Sequence, residues 1–324
     1  MKRILLTISL FLILVVSACA PQVQELGQDV RPPQLSETAY LTADGTILPL
    51  KIWPAIEKSA AIIIAVHGFN DYRNGFAFPA SWWMGRGITT YAYDQRGFGQ
   101  TEQVGIWAGS DVMLNDLAGL VRLVKTQNPE KPVYLLGESM GGAVVMAAVA
   151  REGFPPVDGI ILSAPAVWGW QSLNLFYRAA LWSSAHLVPQ VTASGNGLGI
   201  QASDNISMLR NLGRDPLFIK DTRIDTVYGL VGLMDQAYDA SAKLTLPVLV
   251  LYGANDEVIP KEPVEEVVAR LPKSADIVLY KQGWHLLLRD LQAPVVWRDI
   301  ASWIKMRKIP SGNKVTALPL FAKE

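Results

Sequence analysis

One six-residue run constrains this chain more than any other: Gly137-Glu138-Ser139-Met140-Gly141-Gly142. It stands between the apolar segment Val133–Leu136 and a helical stretch of small apolar residues, Met140–Ala150. A chain that leaves a buried strand and enters a helix within so few residues must turn sharply, and the run fits Gly-x-Ser-x-Gly in that context. Side chains at 137 and 141 would collide with neighbouring backbone, and Ser139 would hold its Oγ above the sheet from a strained position. A serine hydroxyl becomes a useful nucleophile only when a base takes its proton. The competing reading is a glycine-rich packing turn with a solvated hydroxyl. The strand before it and the helix after it favour the nucleophile.

Similar short apolar runs recur along the chain at Ala61–Val66, Ile88–Tyr93, Gly159–Leu162, Val248–Leu251 and Ile277–Tyr280. Continuous apolarity over four to six residues suits strands covered on both faces, as in a parallel sheet. Helical patterns separate them at Val112–Lys125, Glu262–Arg270 and Pro294–Lys305. A hairpin signal, Asp44-Gly45 between Ala39–Ala43 and Ile47–Trp53, leads the series. The alternation predicts a doubly wound, mostly parallel α/β sheet. Between about 165 and 242 the rhythm breaks into helical patterns rich in Trp, Tyr, Leu and Met, which predicts an inserted helical cap.

Catalytic groups of open α/β sheets gather at the carboxyl ends of strands. Of three histidines, only His285 is both C-terminal to Ser139 and just beyond a predicted strand, so it is the expected general base. His186 lies inside the aromatic insertion, and His67 reads as a turn residue. Asp256 follows the strand Val248–Leu251 and precedes His285 by one helix and one strand, giving the order Ser, Asp, His. Its role would be to hold the imidazole tautomer and stabilise the imidazolium. Asp235 and Asp239 lie in the insertion, away from a strand end, and are weaker candidates; Glu257 stays open as a neighbour. The oxyanion donors expected are the N–H of Met140, next after the nucleophile, and that of Phe69 in His67-Gly68-Phe69. Asp94, in Asp94-Gln95-Arg96-Gly97-Phe98-Gly99, is expected to be structural.

The N-terminus carries a separate signal. Met1-Lys2-Arg3 is basic, Ile4 to Val16 is apolar, and Val16-Ser17-Ala18-Cys19-Ala20 follows. The apolar run is shorter than the ~20 residues of a spanning helix, so residues 1–18 read as a signal peptide. The small residues before Cys19 resemble a bacterial lipobox, which makes Cys19 the expected lipidation site; an ordinary secretory signal is the bland alternative. Residues 19–36 read as a tether, 37–310 as the folded domain and 311–324 as a tail. Cys19 is the only cysteine, which excludes an intramolecular disulfide framework and a cysteine-based zinc site. Lys+Arg 29 balances Asp+Glu 29, so no global field draws in nucleic acid.

With these residues in place the chain resembles an α/β-hydrolase, and within that superfamily the monoacylglycerol lipase and lysophospholipase group. The resemblance runs from about Tyr40 to Lys305. It rests on His67-Gly68-Phe69, Asp94 to Gly99, Gly137 to Gly142, Leu251 to Asp256, and Trp284-His285, with Asp215-Pro216-Leu217 late in the insertion. It implies hydrolysis of monoacylated lipid esters, without metal or organic cofactor, beneath a helical cap that admits an acyl chain. Glu138 stands where the family often has His. Two other readings stay open: a peptidase or amidase with the same triad, and a non-catalytic lipoprotein that binds a lipid or an envelope protein. A lipidated Cys19 would place the protein in the bacterial cell envelope, held to a membrane.

Overall fold

A computed structural model describes residues 20–28, 31–195, 197 and 199–315. The expected signal peptide, Cys19 and the last residues of the tail lie outside them. Among the described residues the strand signals become a ten-stranded sheet in the order β1-β2-β3-β5-β4-β6-β7-β10-β11-β12. Its centre is parallel: β5 (Ile88–Tyr93), β4 (Ala61–Val66), β6 (Val133–Glu138), β7 (Gly159–Ser163), β10 (Val248–Gly253) and β11 (Asp276–Tyr280). On one side β1 (Gln34–Leu35), β2 (Ala39–Leu41) and β3 (Ile47–Trp53) add antiparallel strands, and on the other β12 (Lys314–Val315) does the same.

Strand periodicity explains why the central strands are apolar throughout. In β4, Ile62, Ile64 and Val66 enter one core layer, with Leu117, Val121 and Val144. The alternate residues Ile63 and Ala65 enter the other, with Trp83 and Trp303. Successive side chains of a strand point to opposite faces, so both positions must be apolar when helices cover both faces. The first layer is covered by α2 (Ser110–Gln127) and α3 (Met140–Val149), the second by α1 (Ala77–Met84) and α7 (Ala293–Met306).

The insertion between β7 and β10 holds α4 (Leu175–Leu187), β8 (Thr192–Ser194), α5 (Ile206–Arg214), β9 (Asp221–Arg223) and α6 (Ile224–Ser241). The cap was expected to run to about 242, but α6 packs into the core instead. Leu230, Leu233, Met234 and Ala237 give it a buried face in the layer that contains α3. The sheet also reaches beyond the expected domain limits. Gln34–Leu35 pairs with β2 inside the expected tether, and Lys314–Val315 pairs with β11 inside the expected tail. Strands of two residues are too short to leave a periodic signal.

Candidate active site

Ser139 joins β6 to α3 with φ 53° and ψ −118°, a conformation side chains rarely adopt. The turn is held on every side. Ser139 N–H donates to Ser163 O at 2.9 Å, and Ser139 O accepts from Gly142 N–H at 2.9 Å and Ala166 N–H at 3.0 Å. Glycine is required at two flanking positions. A Cβ on Gly137 would stand 2.4 Å from Gly141 O, and one on Gly141 would stand 1.9 Å from Val66 O.

The loops at neighbouring strand ends converge on this turn. Gly68, after β4, lies against the serine: a Cβ there would stand 3.3 Å from Ser139 Cβ. Phe69 follows it, its ring set edge-on to Phe98 at 5.7 Å. Among the described residues, neither the Phe69 nor the Met140 N–H donates to a protein acceptor. The next residue, Asn70, is fastened to the cap: its Nδ2 donates to Thr222 Oγ1 at 2.7 Å and its O accepts from Ile219 N–H at 3.0 Å. Tyr72 Oη donates to Asp215 Oδ2 at 2.7 Å, which closes the Asp215-Pro216-Leu217 stretch onto the same loop.

After β10 and β11 the structure brings Asp256 and His285 together, with His285 Nδ1 2.9 Å from Asp256 Oδ2. The other carboxylate oxygen, Oδ1, accepts from the N–H groups of Val258 at 2.8 Å and Ile259 at 3.0 Å. Both side chains are buried. The strand ends pass so closely that a Cβ on Gly253 would lie 2.4 Å from Trp284 O. Asp290 braces the histidine loop from below, accepting from Trp284 N–H at 2.8 Å and Ser203 Oγ–H at 2.6 Å. Burial raises its carboxyl above the ordinary range, against the pull of these two donors.

Sequence reasoning missed a buried ion cluster at this site. Glu138, immediately before Ser139, receives a hydrogen bond from Arg289 at 2.9 Å, and Arg289 also pairs with Asp71 at 2.5 Å. All three side chains are buried. Gly75 leaves room for the guanidinium: a Cβ there would stand 3.3 Å from Arg289 Nη1. Burial pushes the Glu138 carboxyl up, with Arg289 and His285 opposing and Asp71 adding to the rise. One arginine thus joins the serine turn, the loop after β4 and the histidine loop. The available signal was a glutamate at the end of an apolar strand, which calls for a buried cation.

The other residues weighed in the sequence lie elsewhere. His67 is fully buried, its Nδ1–H donating to Gly68 O at 2.8 Å and its Nε2 accepting from Gln95 N–H at 2.9 Å. Burial lowers its pKa and keeps it neutral. Asp94 accepts from the N–H groups of Arg73 and Gln100, both at 2.9 Å, and pairs with the Arg73 guanidinium. His186 stacks on Trp182 at 4.3 Å in the cap. Asp235 lies beside Gly169 on the cap side, and Glu257 is exposed and accepts from Gln201 N–H at 2.7 Å. Among the described residues no cluster of three His, Cys, Asp or Glu could hold a metal ion, and no helix is long and apolar enough to cross a membrane.

Residues 57–292 match the model of a hydrolase family, Hydrolase_4, described as serine aminopeptidase, S33. The chain is 24% identical over 289 residues to a monoacylglycerol lipase of Mycolicibacterium smegmatis, covering 83% of this chain and 96% of that one. It is 25% identical over 281 residues to the human monoglyceride lipase, covering 84% and 91%. A soluble variant of the monoglyceride lipase of Saccharomyces cerevisiae, solved with a substrate analogue, superposes with a TM-score of 0.70 at 18% identity. That superposition covers 89% of this chain and 98% of the other. The shared architecture is the α/β-hydrolase fold.

Proposed function

The chain belongs to the Hydrolase_4 family, and from that membership we propose that it is a serine-dependent carboxylic ester hydrolase acting on lipid-like esters of the monoacylglycerol or lysophospholipid class. The observation that carries this reading is the His285–Asp256 pair at 2.9 Å, beyond β11 and β10 of the same sheet whose β6 ends in the strained Ser139 turn. The names of the two lipase relatives supply the ester and lipid preference.

In the proposed mechanism Ser139 Oγ attacks the acyl carbonyl while His285 Nε2 takes its proton. Asp256 accepts the Nδ1–H and so keeps Nε2 free to act as base. The developing oxyanion is held by the N–H groups of Phe69 and Met140. Donors of this kind stabilise the transition state by roughly 3–4 kcal/mol each. His285 then gives its proton to the departing alcohol, and water activated by the same nitrogen releases the acyl group.

The envelope location belongs to the same proposal. Cys19 would carry acyl chains and hold the enzyme at a membrane, where its substrates reside. Each buried CH₂ contributes about 0.8 kcal/mol, so several chains on one cysteine give firm anchoring.

Hydrolysis of p-nitrophenyl esters from short to long acyl chains, beside monoacylglycerols and peptide amides, tests the reading. Esters and monoacylglycerols should turn over and amides should not. The aminopeptidase in the family's description makes preferential amide cleavage the result that would replace an esterase with a peptidase.

A further inference from the structure

The segment expected as a free spacer is docked on the body at three points. Gln24 is only 8% exposed, although it is polar and precedes the first strand. Its N–H donates to Trp107 O at 2.8 Å, and its Nε2 donates to Ile106 O at 2.9 Å and Gln103 O at 3.3 Å. Gly97, with φ 84°, comes so near that a Cβ there would stand 3.0 Å from Gln24 Nε2. Upstream, Gln22 N–H donates to Asp225 Oδ2 at 3.2 Å, and Arg223 donates to Gln22 Oε1 at 2.9 Å. Downstream, Gly27 N–H donates to Asp44 Oδ2 at 3.1 Å, and a Cβ on Gly27 would overlap the Asp44 carbonyl at 1.9 Å. A solvated linker has no need of a buried side chain or an obligatory glycine.

The upstream end of this segment meets the root of the cap. Asp225 N–H donates to Pro189 O at 3.1 Å, and Ile224 N–H donates to Val191 O at 3.0 Å. Gln22 therefore sits beside the C-terminal end of α4. That helix turns large apolar residues outward: Leu175 is 80% exposed, Phe176 75% and Leu187 69%, with Trp182 also exposed. Leu175 and Trp182 line one shallow depression, and exposed apolar surface of this kind marks an interaction site. Three residues lead from Gln22 back to Cys19, a reach of at most about 11 Å.

We propose that residues 22–27 are a strap that fixes the anchor's point of departure beside the apolar face of α4, making a phospholipid surface the partner of that face. The chain that leaves the strap ends, within that short reach, at the residue proposed to enter a bilayer. Both membrane contacts then lie on one side of the molecule, and the strap sets the orientation of the cap against lipid. The inference rests on lipidation of Cys19, which belongs to the proposed function.

The test uses the full acylated chain in vesicles of phosphatidylethanolamine and phosphatidylglycerol that contain a nitroxide-labelled lipid. Because Cys19 is the only cysteine, its acylation leaves an introduced cysteine as the single free thiol. A fluorophore is attached to Phe176→Cys on α4, or to Lys58→Cys, which is exposed at the amino end of β4. Emission from Phe176→Cys should fall by about half or more, as expected for a face sunk about 5–10 Å into the headgroup boundary, and emission from Lys58→Cys should not. Inserting about twenty Gly and Ser residues after Pro21 leaves the strap contacts in place but lengthens the anchor by roughly 25 Å, and should remove the difference. Gln24→Ala should weaken it, and both variants should keep wild-type turnover of a soluble short-chain ester. Mass spectrometry separates the two claims. An unacylated Cys19 overturns the anchor, and the strap's role with it. An acylated chain that is quenched equally at both sites, unquenched at Phe176→Cys, or indifferent to the insertion overturns the strap alone.

Discussion

Arg289 donates to Glu138 at 2.9 Å, so the residue immediately before the candidate nucleophile is tied to a residue four positions after the candidate base. Asp71 shares the same guanidinium. Removing the arginine leaves two buried carboxylates uncompensated, and breaking a buried pair in this way costs about 3–5 kcal/mol. Arg289→Met should lower the urea midpoint accordingly, and Arg289→Lys should recover part of the loss. An unchanged midpoint for Arg289→Met would remove the cluster from the account of stability.

His67 gives the fold its own pH dependence. Burial holds its folded-state pKa below the ordinary 6.5, so as the pH falls through that value the unfolded chain takes up a proton that the folded chain refuses. The group's stabilising contribution is present above 6.5 and is lost as the pH drops toward the folded value. His67→Gln should therefore flatten the fall in melting temperature between about pH 6.5 and 5 relative to wild type. Parallel wild-type and variant curves would show that His67 is not titrating as described.

Two glycine substitutions separate a required close approach from an ordinary helix position. Gly141→Ala drives a methyl group into the Val66 carbonyl at 1.9 Å, so it should abolish turnover and lower the yield of folded protein. Gly232→Ala, within α6 and with nothing inside 4 Å of its added Cβ, should be tolerated. It should also gain roughly 0.5–1 kcal/mol in stability, as alanine does over glycine inside a helix. Urea denaturation of the two variants side by side makes the comparison.

What the sequence made legible is what has a local signature. Ala61–Val66 and Val248–Leu251 announce themselves because burial on two faces demands unbroken apolarity, and Ser139 because its turn demands glycines at fixed offsets. Asp256 and His285 follow from their places just beyond predicted strands. Arg289 and Glu138 are 151 residues apart, and neither sits in a pattern that names the other. Gln24 illustrates the same limit: its polar, proline-flanked surroundings resemble a spacer, while its partners at Gln103, Ile106 and Trp107 are supplied by the fold. In α6 the apolar period was visible, but not whether that face covers the site or packs into the core.

The central claim is that one hydroxyl carries the chemistry, and it is tested most directly by monoacylglycerol turnover of purified Ser139→Ala. The account predicts a loss of kcat of at least about 10⁴-fold, in keeping with the removal of a nucleophile from such a triad, with the melting temperature retained. A folded Ser139→Ala protein that keeps most of the wild-type kcat would contradict it.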